Sequence, residues 1–240
     1  MQKEFLSFIR VNQYGSLNLT ISDVLGDTSY IDTETGIKSG KFAKKFSYVS
    51  QSNRAKSFVY PEKISFLGQT GEQIKIEFLY RYDNSSNRNG GIYAGIPYPN
   101  FTVGLCIYNF SLFNNVYPTP SLWGVIGQNG RIMNDNTASI NLGLRVILSN
   151  GSHQSTSSSS FTINAGVFYL VRFLITYPDT LYIEMINKNT NTSLSSVSLN
   201  YDFSSFGLNY RLMYLIDNYP LTNIERAFSI DLLLIKHYTL

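Results

Sequence analysis

The sequence predicts an all-β chain folded as an antiparallel two-sheet β-sandwich, a jelly roll, and three observations carry that prediction. Apolar residues recur with a period of two along many short stretches. No window of about eleven residues keeps the 3.6-residue period of a helix. Turn residues punctuate the stretches at short intervals, and so many half-apolar strands need two packed sheets to bury their faces.

The clearest alternation lies at 73–82. There Ile74, Ile76, Phe78, Tyr80 and Tyr82 oppose Lys75, Glu77, Leu79 and Arg81. Residues 140–148 and 167–177 alternate in the same way, as half-buried antiparallel strands do. Shorter strands are predicted at 5–11, 17–21, 42–49, 58–66, 101–110, 122–127, 131–133, 161–164, 181–187, 193–199, 210–216 and 228–238. Tyr177-Pro178-Asp179-Thr180 places proline at the second position of a turn and predicts a hairpin. The polar run 187–191 predicts another hairpin. Asn129-Gly130 predicts a type I′ turn joining 122–127 to 131–133.

Composition narrows the function classes. Charged residues make up 15% of the chain, against about 25% in typical soluble domains. Aromatic residues make up another 15%, which excludes intrinsic disorder and a coiled coil. A net charge of +3 is too small to argue for nucleic acid. Arg10 interrupts the apolar run 5–9, so no secretory signal is expected. No stretch reaches the ~18 apolar residues of a membrane span. Cys106 stands alone and is expected as a small buried hydrophobe rather than half of a disulfide. The chain is expected to form one sandwich domain over 1–240, with 1–70 an added arm or extra strands.

The last third carries an ordered pattern. A strand at 140–148 leads through a polar loop to Gly166-Val167-Phe168-Tyr169-Leu170-Val171. Next come Leu181-Tyr182-Ile183-Glu184-Met185-Ile186-Asn187 and a polar hairpin, and Asp231-Leu232-Leu233-Leu234-Ile235 closes the chain. This order of strands, over about 100 residues, resembles the concanavalin A-like lectin/laminin-G superfamily. The resemblance implies a two-sheet sandwich that binds glycans at loop tips or on a concave face, sometimes with calcium. Glycosidases of that family carry a Glu-x-Asp-x-x-Glu strand, which this sequence lacks. The first 70 residues depart from the family pattern.

No catalytic set is found. His153 lies in a Ser-rich run expected to be a solvated loop, and His237 lies in the terminal strand. There is no Gly-x-Ser-x-Gly, His-Glu-x-x-His or Cys-x-x-Cys. The chain is therefore read as a non-enzyme. Were it a glycan hydrolase, Glu77, Glu184 and Asp231 would be the carboxylates to test. No cofactor is expected. Calcium is the metal that the oxygen-rich turns at Asp83–Asn87, or Asp27, Asp32 and Glu34, would take. The first group has no second carboxylate close by in sequence and reads first as an ordinary Asx-rich turn.

Two segments stand out. Between 38 and 56 lie Lys38, Lys41, Lys44, Lys45, Arg54 and Lys56 with no acid among them and Phe42, Phe46 and Tyr48 interleaved. The simple reading is a solvated strand face; a capsid protein would turn this basic patch toward nucleic acid. Residues 89–130 contain no Asp, Glu, Lys, Arg or His. Tyr93, Tyr98, Asn114, Asn115, Tyr117 and the single Trp123 fall within them and form the candidate carbohydrate-binding or interface set. The composition resembles that of virion surface proteins. The expectation is a lectin-like virion structural or attachment protein, made in the host cytoplasm and acting at the virion surface. Expected partners are further copies of the chain, other virion proteins and a host surface glycan, not nucleic acid.

Overall fold

A computed structural model describes residues 3–7, 20–23, 35–38, 41–49, 56–83, 101–110, 118–127, 131–132, 137–216 and 225–239. In chain order the strands are β1 (Lys3–Ser7), β2 (Thr20–Asp23), β3 (Thr35–Lys38), β4 (Lys41–Val49), β5 (Lys56–Ser65) and β6 (Gln73–Asp83). They continue as β7 (Phe101–Ile107), β8 (Ser121–Ile126), β9 (Arg131–Ile132), β10 (Thr137–Ile140), β11 (Leu142–Ile147) and β12 (His153–Ser157). The last six are β13 (Phe161–Asn164), β14 (Phe168–Thr176), β15 (Thr180–Asn187), β16 (Thr192–Asn200), β17 (Asn209–Ile216) and β18 (Glu225–Thr239). A single 3-10 turn, Ser204–Phe206, is the helical element among the described residues.

Two large antiparallel sheets hold most of these strands, as the period-two pattern predicts. An eight-stranded sheet runs β16-β15-β14-β6-β18-β4-β3. Its eighth strand, β1, shares the outer edge of the long β18 with β4. A seven-stranded sheet runs β12-β11-β8-β7-β17-β5-β2, and β13-β10-β9 form a small third sheet. The five strands within residues 1–70 thus pair into the two large sheets.

The inward faces follow the alternation. Ile74, Ile76, Phe78 and Tyr80 of β6 meet Val171, Phe173 and Ile175 of β14 and Leu181, Ile183 and Met185 of β15 in one buried cluster. The seven-stranded sheet contributes Phe101, Val103, Leu105, Leu122, Leu142, Leu144 and Val146 to the same cluster. Each such side chain, fully removed from water, contributes about 1.5–3 kcal/mol. Phe101 binds the two sheets through an edge contact with Phe78 and a stacked contact with Tyr80. Gly124 lets the opposite sheet pack close: a methyl group there would stand 2.9 Å from Ile183 Cδ1.

Four local expectations change. The strand predicted at 140–148 begins at Thr137 and switches sheets at the buried Asn141, whose carbonyl accepts the Gly127 N–H at 2.8 Å. Its first part, β10, belongs to the small sheet and its second, β11, to the seven-stranded one. The segments on either side of Asn129-Gly130 do not form a hairpin, because β8 pairs with β7 and β11 whereas β9 pairs with β10. The Tyr177-Pro178 bond is cis, and Asp179 N–H bonds to Thr176 C=O at 3.1 Å. Proline therefore occupies the third turn position, as in a type VI turn. The Ser-rich run around His153 is a strand, β12, paired with β11 through Ile147↔His153 and Gly143↔Ser157.

A buried carboxylate ties the N-terminal half to the last strand. Glu72 is fully buried and accepts N–H bonds from Leu67 (2.6 and 2.8 Å), Gly68 (2.9 Å) and Gln69 (3.2 Å). It also pairs with His237 Nε2 on β18. His237 thus has a structural partner, which its position in the sequence did not suggest.

Candidate functional site

The two faces of the seven-stranded sheet are both covered in its middle. Phe101, Val103 and Leu105 of β7 face the shared core, as do Leu122 and Ile126 of β8. The alternate positions point the other way and build a second, smaller core of Cys106, Trp123, Val125, Ile147, Met213 and Leu215, with Phe110 packed against it. A sheet face turned away from the main core usually meets water. Here every residue of β7 up to Cys106 and every residue of β8 is buried. This outer face is the candidate site.

Trp123 anchors it from beneath. It has no exposed surface, and its indole Nε1 donates to Ser121 Oγ at 2.6 Å. Ser121 in turn donates to the Pro118 carbonyl. Gly104 leaves room for the ring: a Cβ there would fall 2.3 Å from Trp123 Cε3. The candidate set included Trp123 as a sugar-stacking or interface residue. The structure places it in the foundation, with no ring face open to a ligand.

Charge reaches this face from other strands. Arg145 of β11 lies opposite Trp123, and Arg211 of β17 lies opposite Cys106. The Arg211 guanidinium sits 4.4 Å from the centroid of Tyr108. Burial pushes the Cys106 thiol well above its usual range, with Arg211 pulling weakly the other way. The uncharged segment 89–130 is therefore uncharged along the chain but not in space.

The remaining candidates Tyr93, Tyr98, Asn114, Asn115 and Tyr117 lie outside the described residues. The chain enters β7 from Tyr98 at its Phe101 end and leaves toward Asn114 and Tyr117 at its Ile107 end. Those ends are roughly 20 Å apart along a seven-residue strand. The basic segment is divided. Lys38, Lys41, Lys44 and Lys45 belong to β3 and β4 of the eight-stranded sheet, whereas Lys56 begins β5 of the seven-stranded one. Arg54 lies outside the described residues, so the simple picture of one basic strand face does not hold.

The carboxylates considered for hydrolysis meet on the outer face of the other sheet. Arg172 of β14 is bonded to Glu77 at 2.8 Å on one side and to Glu184 at 2.9 Å on the other. These contacts, the Glu77 hydrogen bond foremost, hold the Arg172 guanidinium above its ordinary range. A glycosidase pair needs two carboxylates about 5–9.5 Å apart across a substrate. Here an arginine fills the place between them. Asp231 is registered against Leu79 on β6. Among the described residues no three of His, Cys, Asp and Glu come together to hold a metal ion. Asp83 ends β6, while Asn84–Asn87, Asp27, Asp32 and Glu34 lie outside the described residues. No helix among the described residues is long and apolar enough to cross a membrane, which says nothing of a β-barrel.

Against known proteins, no family model and no curated sequence matches the chain. Solved structures do match. Winged bean acidic lectin complexed with methyl-α-D-galactose aligns at TM-score 0.60 and 10% identity, covering 100% of this chain and 99% of that one. The CBM2 module of the evolved Dit protein of Lactobacillus casei BL23 phage J-1 aligns at TM-score 0.55 and 11% identity, covering 100% and 98%. Arcelin-5, a lectin-like defense protein from Phaseolus vulgaris, aligns at TM-score 0.51 and 11% identity, covering 99% and 98%. The chain thus has the concanavalin A-like jelly-roll sandwich fold along its whole length.

Proposed function

We propose that this protein is a non-enzymatic carbohydrate-binding module of a virion, a single lectin-like domain that attaches the particle to a host surface glycan. The observation that carries the reading is the second core on the outer face of the seven-stranded sheet. A sheet face built up into a covered platform, with Tyr108 and Phe110 half-buried at its margin, is suited to hold loops rigidly over a ligand. The full-length likeness to a galactoside-complexed lectin and to a phage carbohydrate-binding module supports the same reading.

In this reading Tyr93, Tyr98, Asn114, Asn115 and Tyr117 contact the sugar. The aromatic faces stack on its apolar side and the Asn amides read its hydroxyls. Trp123 lies in the second core beneath the outer face. Partners are further copies of the chain or other virion proteins, and the place of action is the virion surface. The basic segment is divided between the two sheets, with Lys56 on one and Lys38, Lys41, Lys44 and Lys45 on the other. A glycan array tests the proposal: the intact protein is retained on a defined glycan set, and Tyr117→Ala loses that retention at unchanged thermal midpoint. Absence of any glycan hit overturns it.

A further inference from the structure

Basic residues gather on the outer face of the seven-stranded sheet. At its paired positions stand Arg145, Arg211, Lys63 and His153, and no Asp or Glu occupies any of them among the described residues. Arg211 and Lys63 are direct cross-strand partners. Such partners share a face with Cβ atoms about 5 Å apart, and like charges there repel. Neither of these two side chains makes an ion pair or a hydrogen bond with another described side chain. The Nε of Arg211 is buried without an acceptor. Buried donors are nearly always paired, so one that is not calls for an explanation.

The guanidinium is not loose. Arg211 Cζ lies over the Tyr108 ring, 4.4 Å from its centroid, and the Tyr108 N–H donates to the Asn209 carbonyl at 2.9 Å. A stacked guanidinium keeps its donor edge pointed in one direction and ready for two parallel bonds. Two residues along β17, Asn209 lies on the same face and accepts from Ser65 Oγ through Oδ1 at 2.9 Å. That contact leaves the Asn209 amide N–H groups to donate. The site therefore assembles a guanidinium, an exposed ammonium and amide donors beside an aromatic ring.

We propose that Arg211, Lys63 and Tyr108 form a site for the oxyanion group of an acidic saccharide. This inference rests on the carbohydrate-binding reading for its saccharide, but not for its oxyanion. The anion accepts from the Arg211 guanidinium and the Lys63 ammonium and separates two charges that otherwise repel. Tyr108 and Asn209 then border the sugar ring that carries it.

Inorganic sulfate, titrated against chloride at constant ionic strength, isolates the oxyanion. The Arg211 Nε–H resonance shifts saturably in the wild-type protein, and affinity falls roughly tenfold in Lys63→Gln. Lys63 is exposed, so this variant keeps the wild-type thermal midpoint or raises it slightly. Arg211→Gln abolishes the response. A second arm compares neutral glycans with their carboxylated or sulfated counterparts on one array, and the acidic member of each pair is retained more strongly in low salt. No sulfate-dependent shift of Arg211, or equal retention of acidic and neutral members, overturns the proposal. Retention of neutral glycans alone leaves the carbohydrate reading standing while this one falls; a sulfate response without any glycan hit sustains the oxyanion site and removes its saccharide.

Discussion

Gly104 and Trp123 set the packing of the outer face at the level of single atoms. Adding a methyl group at Gly104 places it 2.3 Å from Trp123 Cε3 and 2.7 Å from the Leu122 carbonyl oxygen. Neither the ring nor the backbone has room to move, so Gly104→Ala is expected to cost about 1–3 kcal/mol, read from the denaturation midpoint. An unchanged midpoint would mean that the ring is not held there. Cys106 gives an independent check. Its thiol is fully buried and pushed above its ordinary range by that burial, so little nucleophilic thiolate forms at pH 8. Iodoacetamide should leave it unmodified in the native protein and alkylate it promptly in denaturant; rapid native alkylation contradicts the second core. Both residues were readable in part. Phe-Thr-Val-Gly-Leu-Cys-Ile and Leu-Trp-Gly-Val-Ile lack the polar alternation of residues 73–82, as strands covered on both faces do. Both runs read as strands, and the absence of charge around them put Trp123 at the ligand; as strands buried on both sides they put it in a core.

At the scale of elements, the turn Leu67–Glu72 depends on one carboxylate. It gathers three backbone N–H groups and His237. Glu72→Ala should leave those buried donors without an acceptor and cost about 3 kcal/mol, measured by urea denaturation. A loss within ±0.5 kcal/mol would mean that the turn holds by packing alone. Strands with a clean alternation were legible to within a residue or two, among them β6, β14 and β15. Two strands were not. β12 reads His-Gln-Ser-Thr-Ser, lies at a sheet edge and is mostly exposed, so no apolar face marks it. β3 reads Thr-Gly-Ile-Lys and pairs at the margin of the other sheet, with a single apolar side chain to betray it. Edge strands owe their structure to backbone bonds with a neighbour distant in sequence, and composition does not record that neighbour. The sheet switch at Asn141 escaped notice for a related reason: the alternation runs on through 140–148 while the pairing partner changes.

For the whole molecule, the number and period of the strands point to a sandwich, but they do not say which sheet each strand joins. That allocation decides the function. It brings Arg211 from β17 and Arg145 from β11 onto a face whose central strands carry no charge of their own, and it separates Lys56 from Lys38 and Lys45. It also brings Glu77, Arg172 and Glu184 into one row on the opposite sheet, closing the place a hydrolase would keep open. Carbohydrate binding is proposed on the outer face of the seven-stranded sheet. NMR mapping of the intact protein with an array-identified saccharide locates it. Perturbations should centre on Tyr108, Phe110, Tyr117, Asn209 and Arg211; perturbations centred on Leu170, Leu174 and Tyr182 of the other sheet would rule that face out.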